Sequence, residues 1–208
     1  MNTNELIQTQ LNLECIGLDR GGLLVRIPGP NPDEIARIYV YRCKADYSVF
    51  FRCDLSPAIR ERISQLPGKR VFHDSEAIKE ILAIEAPCPA VGAYRTCLFP
   101  AGLSPDQFPD TIEHMKDGRR GYAIVRDGTV LSSCISVREN IQAGECYVFT
   151  EPEYRRRGYA SQTAAAWAYH LRRLDKVPFY SHSLGNQASK GLAERMGLMP
   201  CFHLVNYD

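Results

Sequence analysis

The residues with the most chemical potential stand together in Thr150-Glu151-Pro152-Glu153-Tyr154-Arg155-Arg156-Arg157-Gly158-Tyr159-Ala160. An apolar, strand-like run from Cys146 to Thr150 ends there, and a helical pattern starts at Gly158. A strand-to-helix junction presents unpaired backbone N–H groups and the positive end of the helix dipole, which suit a phosphate or pyrophosphate. Gly158 lets a ligand approach the backbone closely and Ala160 keeps the next turn small, while Arg155, Arg156 and Arg157 add positive charge. Taken alone the loop also has a plainer reading, since arginine runs usually mark a solvated helix start and one glycine proves little.

The wider pattern narrows the choice. Arg155-x-x-Gly158-x-Ala160 resembles the Q/R-x-x-G-x-G/A pyrophosphate loop of the GNAT superfamily of acyl-CoA-dependent N-acyltransferases. The approach Thr150-x-Pro152-Glu153-Tyr154-Arg155 is similar to the V/T-x-P-E-Y-R stretch common there. Downstream, Asn186-x-Ala188-Ser189-x-x-Leu192-Ala193-x-x-Met196-Gly197-Leu198 resembles the family's final helix, with leucine in place of the usual phenylalanine. Two motifs in the right order and at the right separation are far more specific than either alone. The resemblance covers residues 91–208, is strongest from Gly144 onward, looks closest to the branch containing FR-type GNAT acetyltransferases, and leaves residues 1–90 unexplained.

The resemblance implies a role for each matching position. Backbone groups of Phe149 and Thr150 would pair with the pantetheine arm of acetyl-CoA as with an added strand. Backbone N–H groups across Arg155, Arg156, Arg157, Gly158, Tyr159 and Ala160 would hold the pyrophosphate. Asn186 and Ser189 would face the pantetheine or the 3′-phosphate end, although asparagine is equally well suited to cap a helix. The chemistry would be acetyl transfer to an amine by direct attack in a ternary complex, with acetyl-CoA as donor and no metal. A lysine-like amine has a reference pKa of about 10.4, so a base or a water chain must remove a proton. Many GNAT enzymes place a tyrosine, as acid to the departing thiolate, where this chain has Ala193. Tyr207 is the substitute put forward, with Tyr147 and Ser189 as alternatives; Glu145 is put forward as base, with Glu139 and His182 behind it. The missing tyrosine also motivates a rival reading, a non-catalytic acyl-CoA-binding or sensing module with a degenerate site.

Elements must position these residues. From Ala93 onward the pattern predicts a strand to Phe99, then a helix from Ser104-Pro105-Asp106 to Lys116. Strands at Gly121–Arg126 and Thr129–Val137 flank an Asp127-Gly128 hairpin turn, and another strand covers Cys146–Thr150. A helix from Gly158 to Leu174 carries the stripe Ala160, Ala164, Trp167, Ala168 and Leu171. A strand at Phe179–His182, a helix from Asn186 to Met196 and a last strand near Phe202–Tyr207 complete an α/β (α+β) region. The expected sheet is GNAT-like, mixed and mostly antiparallel, with helices on its faces. Two proline-rich breaks, Pro28-Gly29-Pro30-Asn31-Pro32 and Pro87-Cys88-Pro89, bound the earlier part. Between them IYVYRC and SVFFRC read as a hairpin, Ser56-Pro57 opens one helix, and a second runs from Asp74 to Ile84. Residues 1–90 thus form a small α+β region without a recognisable chemical motif, ahead of an acetyltransferase domain over 91–208.

Composition sets outer limits. With 45% hydrophobic and 24% charged residues in a chain of 208, the balance is that of an ordinary globular protein. A formal net charge of +1 gives no support to a nucleic-acid or membrane partner, either of which favours a basic excess. The polar start MNTNELIQTQ lacks the order of a secretory signal, so a soluble, cytoplasmic protein is expected. The eight cysteines are scattered without a C-x-x-C pair, which favours reduced thiols over a disulfide framework or a zinc site. The acceptor amine stays unidentified, and homodimerisation is left open.

Overall fold

The computed structural model describes residues 1–28 and 35–208. Of the first proline-rich break only Pro28 falls within them; Gly29-Pro30-Asn31-Pro32 lies outside the described residues. In chain order the structure begins with α1 (Thr3–Leu13), β1 (Ile16–Leu18), β2 (Leu24–Arg26), β3 (Ile38–Cys43) and β4 (Asp46–Phe51). Helices α2 (Pro57–Ser64), α3 (Gly68–His73) and α4 (Ser75–Leu82) lead to β5 (Val91–Leu98). Strands β6 (Ile112–Lys116), β7 (Arg119–Arg126), β8 (Thr129–Glu139) and β9 (Ala143–Thr150) follow. The chain closes with α5 (Tyr159–Arg173), β10 (Val177–Ser183), α6 (Gln187–Arg195) and β11 (Met199–Tyr207).

Two compact units result, Met1–Thr96 with Cys201–Asp208, and Cys97–Pro200. The division differs from a simple break at residue 90, because most of the last strand returns to the first unit. There the strands lie in the order β4-β3-β11-β5, with β3 antiparallel to both neighbours. In the second unit the order is β10-β9-β8-β7-β6, antiparallel throughout except for the parallel pair β9/β10. Each unit is a mixed α+β arrangement built on mostly antiparallel strands with helices packed on them, the fold class expected.

Local sequence explains most of the first unit. Ser56 accepts from the Ile59 N–H ahead of Pro57, and Asp74 accepts from Ala77, so α2 and α4 start on side-chain caps. Their apolar stripes, with Val71 and Phe72 of α3, bury Ile38, Val40, Val205 and Tyr207 of the sheet. Helix α1, absent from the elements expected above, opens on a capping box between Asn2 and Glu5 and buries Ile7 and Leu11 against Tyr39, Tyr41 and Phe202. Arg37 is buried and donates to the carbonyls of Leu82, Ala86, Pro87 and Asp208, tying the end of α4 to the end of β11.

One expectation fails in the second unit. The helix placed over Ser104–Lys116 is only a single 3-10 turn, Pro105–Gln107, followed by strand β6. The start signal is real: Gln107 Oε1 accepts from the Ser104 N–H at 3.1 Å. Pro109, however, supplies no N–H and biases Phe108 away from the helical region, where that residue takes φ −143° and ψ 52°. Asp117 and Gly118 then adopt positive φ (52° and 73°) and turn β6 back onto β7, as Asp127 and Gly128 (50° and 77°) turn β7 onto β8.

Candidate functional site

The second unit opens where β9 and β10 part. Their parallel pairing joins Ala143 to Val177, Gly144 to Pro178 and Glu145 to Phe179, and ends there. Strand β9 runs on to Thr150 and stays paired with β8 all the way, Thr150 lying opposite Ser132. Residues Cys146–Thr150 therefore have one edge in a ladder and one edge available to a strand-like ligand. Which peptides face that edge follows from two contacts. The Phe149 carbonyl accepts from Ser132 Oγ at 3.0 Å, and the Glu151 N–H donates to the Leu131 carbonyl at 2.9 Å. Phe149 is thus turned toward β8, and the alternation of an antiparallel ladder turns Val148 and Thr150 the other way. The expectation for Phe149 is corrected to that extent: its backbone faces into the sheet, whereas the peptides of Val148 and Thr150 face the open edge.

The junction beyond Thr150 is built from backbone. Glu153 lies in a short 3-10 turn over Pro152–Tyr154, after which Arg156 (φ 62°) and Gly158 (φ 81°) both take left-handed conformations. Gly158 is the N-cap of α5 and no side chain caps the helix. The Arg155 N–H, expected to face the pyrophosphate, instead donates to the Pro152 carbonyl at 3.3 Å, and from Arg156 onward the first N–H with a backbone acceptor is that of Gln162, on Gly158. Among the described residues the N–H groups of Arg156, Arg157, Gly158, Tyr159, Ala160 and Ser161 have no backbone acceptor. That array carries the positive end of a helix dipole and suits an anion. A Cβ added to Gly158 would meet no atom within 4 Å, so the space in front of it is open.

The arginine and tyrosine side chains shape the loop from behind. Arg155 Nε donates to the Thr150 carbonyl at 3.2 Å, bracing the strand end. The Arg157 guanidinium lies over the Tyr154 ring at 5.2 Å, and Arg126 over Tyr159 at 5.7 Å. Both rings pack with Ile124 and Leu131. A hydroxyl ladder invisible to motif reading joins the strand end to the helix. Thr150 Oγ1 is 2.8 Å from Ser132 Oγ, which is 3.5 Å from Thr163 Oγ1, and Thr163 donates back to the Tyr159 and Ala160 carbonyls. The only sequence sign of it is the presence of hydroxyls inside apolar strand and helix runs.

Helix α5 is held close to β9 by small residues. A Cβ on Gly144 would come within 2.6 Å of Leu171 Cδ1 and 3.3 Å of the Trp167 ring. Trp167 Nε1 donates to Ser136 Oγ at 2.9 Å, Ser136 donates to Glu139 at 2.6 Å, and Lys176 donates to the other Glu139 oxygen at 2.7 Å. Burial pushes the Glu139 carboxyl pKa up, but the hydrogen bonds from Lys176 and Ser136 outweigh it and hold the pKa below the usual value. This carboxylate therefore belongs to the scaffold. Its depressed folded pKa contributes stability above the unfolded value of about 4.3 and loses it as pH falls through the folded pKa. Lys176→Met should flatten that acid-side loss, seen as a smaller drop in urea midpoint between pH 5 and 3 (roughly the span over which a depressed Glu titrates).

The proposed proton carriers fare differently. Glu145 is the last residue of β9 paired with β10, is 4% exposed, and accepts from Arg138 Nη1 at 2.6 Å. The carboxylate is thus buried and committed to Arg138 within its own strand pair. Tyr207 is fully buried in the first unit's core, and its hydroxyl donates to the Val71 carbonyl at 2.6 Å. Burial pushes its pKa up to about 12, and a committed, dry hydroxyl is not placed to protonate a thiolate. Strand alternation is the reason: 203, 205 and 207 share one face of β11, and Val205 and Tyr207 lie under the helices. His182, 5% exposed on β10 beyond the last residue paired with β9, directs Nδ1 to the Ser183 carbonyl at 2.9 Å. Its Nε2 has no partner among the described residues.

The final-helix motif takes the form of caps. Asn186 Oδ1 accepts from the Ser189 N–H at 3.0 Å, and the Ser189 carbonyl accepts from Tyr180 at 3.3 Å. At the other end Gly197 (φ 63°) donates to Glu194 and Leu198 donates to Ala193, a complete Schellman motif. Ala193 packs in the core with Leu192 and Leu198, so the position of the family's tyrosine is filled by packing. Among the described residues no group of three or more His, Cys, Asp or Glu is arranged to hold a metal and no helix is long and apolar enough to cross a membrane.

Comparison with known proteins agrees with this geometry. The family model described as GNAT acetyltransferase matches residues 100–204. The chain belongs to the GNAT acetyltransferase family, whose fold generally binds acyl-CoA. A GNAT-family acetyltransferase from Colwellia psychrerythraea superposes with a TM-score of 0.51 at 9% identity, covering 92% of this chain and 79% of the other, and shows the shared fold. A GCN5-related N-acetyltransferase-like protein from Streptococcus suis gives 0.49 at 15% identity, over 82% and 83% of the two chains. A GNAT-family chain from Novosphingobium aromaticivorans also gives 0.49 at 15% identity, over 58% of this chain and 65% of that one, just under two thirds of its length. No curated protein matches the sequence significantly.

Proposed function

We propose that this chain is an acetyl-CoA-dependent N-acetyltransferase. The observation that carries the reading is the freed edge of β9, leading without interruption into the uncapped, left-handed start of α5. In this reading the outward peptides of Val148 and Thr150 align the pantetheine arm, and the N–H groups from Arg156 to Ser161 bind the pyrophosphate. Asn186 and Ser189 line the far end of the donor. An amine nitrogen attacks the thioester carbonyl, the C–S bond breaks as the C–N bond forms, and the amine proton leaves while the thiolate gains one. The thiolate is a tolerable leaving group without an acid, because a thiol has a pKa of about 8.5. Water reached through the parted strands, rather than Tyr207, then supplies its proton. The acceptor is an amine of unassigned identity, and the setting is the cytoplasm without a nucleic-acid or membrane partner.

The packed Ala193 and the buried Tyr207 favour one second reading, a module that binds acyl-CoA and does not turn it over. Calorimetry with CoA, followed by thiol release from acetyl-CoA across a panel of primary amines, separates the two. Binding with amine-dependent release is expected. Binding without release for any amine leaves the sensing module, and no binding sinks both. With an active amine in hand, Glu145→Gln should change kcat/KM less than about threefold and leave its pH profile in place, because the Glu145 side chain is buried and committed to Arg138. A collapse of the rate by 10²–10⁴, roughly the loss typical of a removed general base, would restore Glu145 as base.

A further inference from the structure

The first unit carries a second feature outside the acyl-transfer motifs. On the face covered by α2, α3 and α4, the register sets Ile38 between Phe51 and Tyr207, then Val40 between Val49 and Val205, then Arg42 between Tyr47 and His203. The first two rows are apolar and buried by the helices. Val91 and Ala93 of β5 pack on the same core, so alternation along β5 places Arg95 on that face too. The third row therefore runs Tyr47, Arg42, His203, Arg95 across β4, β3, β11 and β5. At this row the face changes abruptly from hydrocarbon to cation.

The contacts within the row do not balance. Arg42 Nη2 lies 3.0 Å from His203 Nδ1, and Arg95 Nε lies 2.8 Å from His203 Nε2. A guanidinium can only donate, whereas a neutral imidazole offers one lone pair and an imidazolium none. Two donors thus compete for a single acceptor. Among the described residues neither Arg42 nor Arg95 has a carboxylate within ion-pair distance. Arg42 is moreover held in place, its guanidinium lying 5.0 Å above the Phe72 ring. Both arginines are half-buried, so their charges are less screened than those of a solvated face.

We propose that the Arg42–His203–Arg95 row is a binding site for a small carboxylate. The Nη groups not used on His203 donate to the two carboxylate oxygens, and the bound negative charge removes the mutual repulsion of the row. Donors in one cross-strand row match a planar, two-oxygen anion. A phosphate would also call for donors from a third direction, and the helix start that touches the row, Gly68 of α3, packs on Tyr47 at the opposite end from Arg95. The site is independent of the acyl-CoA reading and stands or falls separately from it.

The test uses the full chain, with NMR of the His203 ring and the arginine Nε–H groups during titration with sodium acetate. Sodium chloride at equal ionic strength is the control, and sodium phosphate the third arm. Saturable shifts at His203 and Arg95 with acetate, absent with chloride, are expected. Arg42→Gln and Arg95→Gln should each weaken acetate at least about tenfold, the usual scale of one charge-assisted contact, while Arg62→Gln, at an exposed position of α2, leaves it unchanged. Shifts that rise linearly and equally in acetate and chloride would overturn the proposal, as would saturation by phosphate without saturation by acetate. The wild-type comparison decides by itself should a variant fail to fold.

Discussion

Gly158→Glu is expected to abolish most of the stabilisation that CoA confers on the folded protein. At a ligand concentration about 100-fold above the dissociation constant that stabilisation should be about 2.7 kcal/mol. The glutamate meets no protein atom, since nothing lies within 4 Å of the position of its Cβ. Its effect therefore comes from two other sources. Gly158 holds φ at 81°, a conformation that costs a side-chain-bearing residue about 1–2 kcal/mol. The new carboxylate also stands where the pyrophosphate charge is to be bound, and like charges a few ångströms apart near a protein surface repel by a few kcal/mol, about a hundredfold or more in affinity. Gly158→Ala separates the two: it should lower the melting temperature without ligand about as much as the glutamate does, yet keep most of the CoA affinity. Differential scanning calorimetry with and without CoA reads both. If the glutamate variant binds CoA as the wild type does, the pyrophosphate lies elsewhere, although family membership would stand.

Trp167→Ala should cost about 3–5 kcal/mol of folding stability, the scale of removing a large ring from a well-packed core. Trp167 is buried between α5 and the sheet, 5.9 Å from the Phe99 ring, and it packs with Cys134, Cys146 and Leu171. Its indole N–H is also the donor to Ser136 in the chain that ends on Glu139 and Lys176. Trp167→Phe keeps much of the ring volume and removes that donor, so a loss of only about 1–2 kcal/mol is expected. Urea unfolding with intrinsic tyrosine fluorescence or circular dichroism measures both variants. Equal losses would mean that the hydrogen bond, rather than the volume, dominates. The alanine variant should also bind CoA more weakly than its stability alone explains, because α5 carries the loop at its start.

Elements whose sequence signals are local were legible from the residues. The stripe on α5, the Asp127-Gly128 turn, the Asn186 cap and the Gly197 stop all depend on neighbours within a few positions, and each is present. Even the one lost helix was locally marked, since Pro109 contradicts the Ser104 start signal five residues after it. What could not be read is anything fixed by register. Tyr207 is a reasonable acid by type and place in the chain, but only its pairing with Ile38 shows that it faces the helices. Phe149 and Val148 are indistinguishable as backbone donors until Ser132 shows which way Phe149 points. Likewise His203 and Arg95 are 108 positions apart in the chain, and only the strand order makes them neighbours.

The parting of β9 from β10 also sets the rhythm in which β9 trades its amide hydrogens with solvent. In the free protein the amides of Tyr147 and Phe149, turned toward β8, should be retained for long periods, whereas those of Val148 and Thr150 lie on the abandoned edge and should exchange quickly. Deuterium would then enter this strand at every second residue, although all of it is nominally in the sheet. A donor arm lying along that edge would slow the fast members and leave the slow ones as they were, so the alternation itself would report occupancy residue by residue.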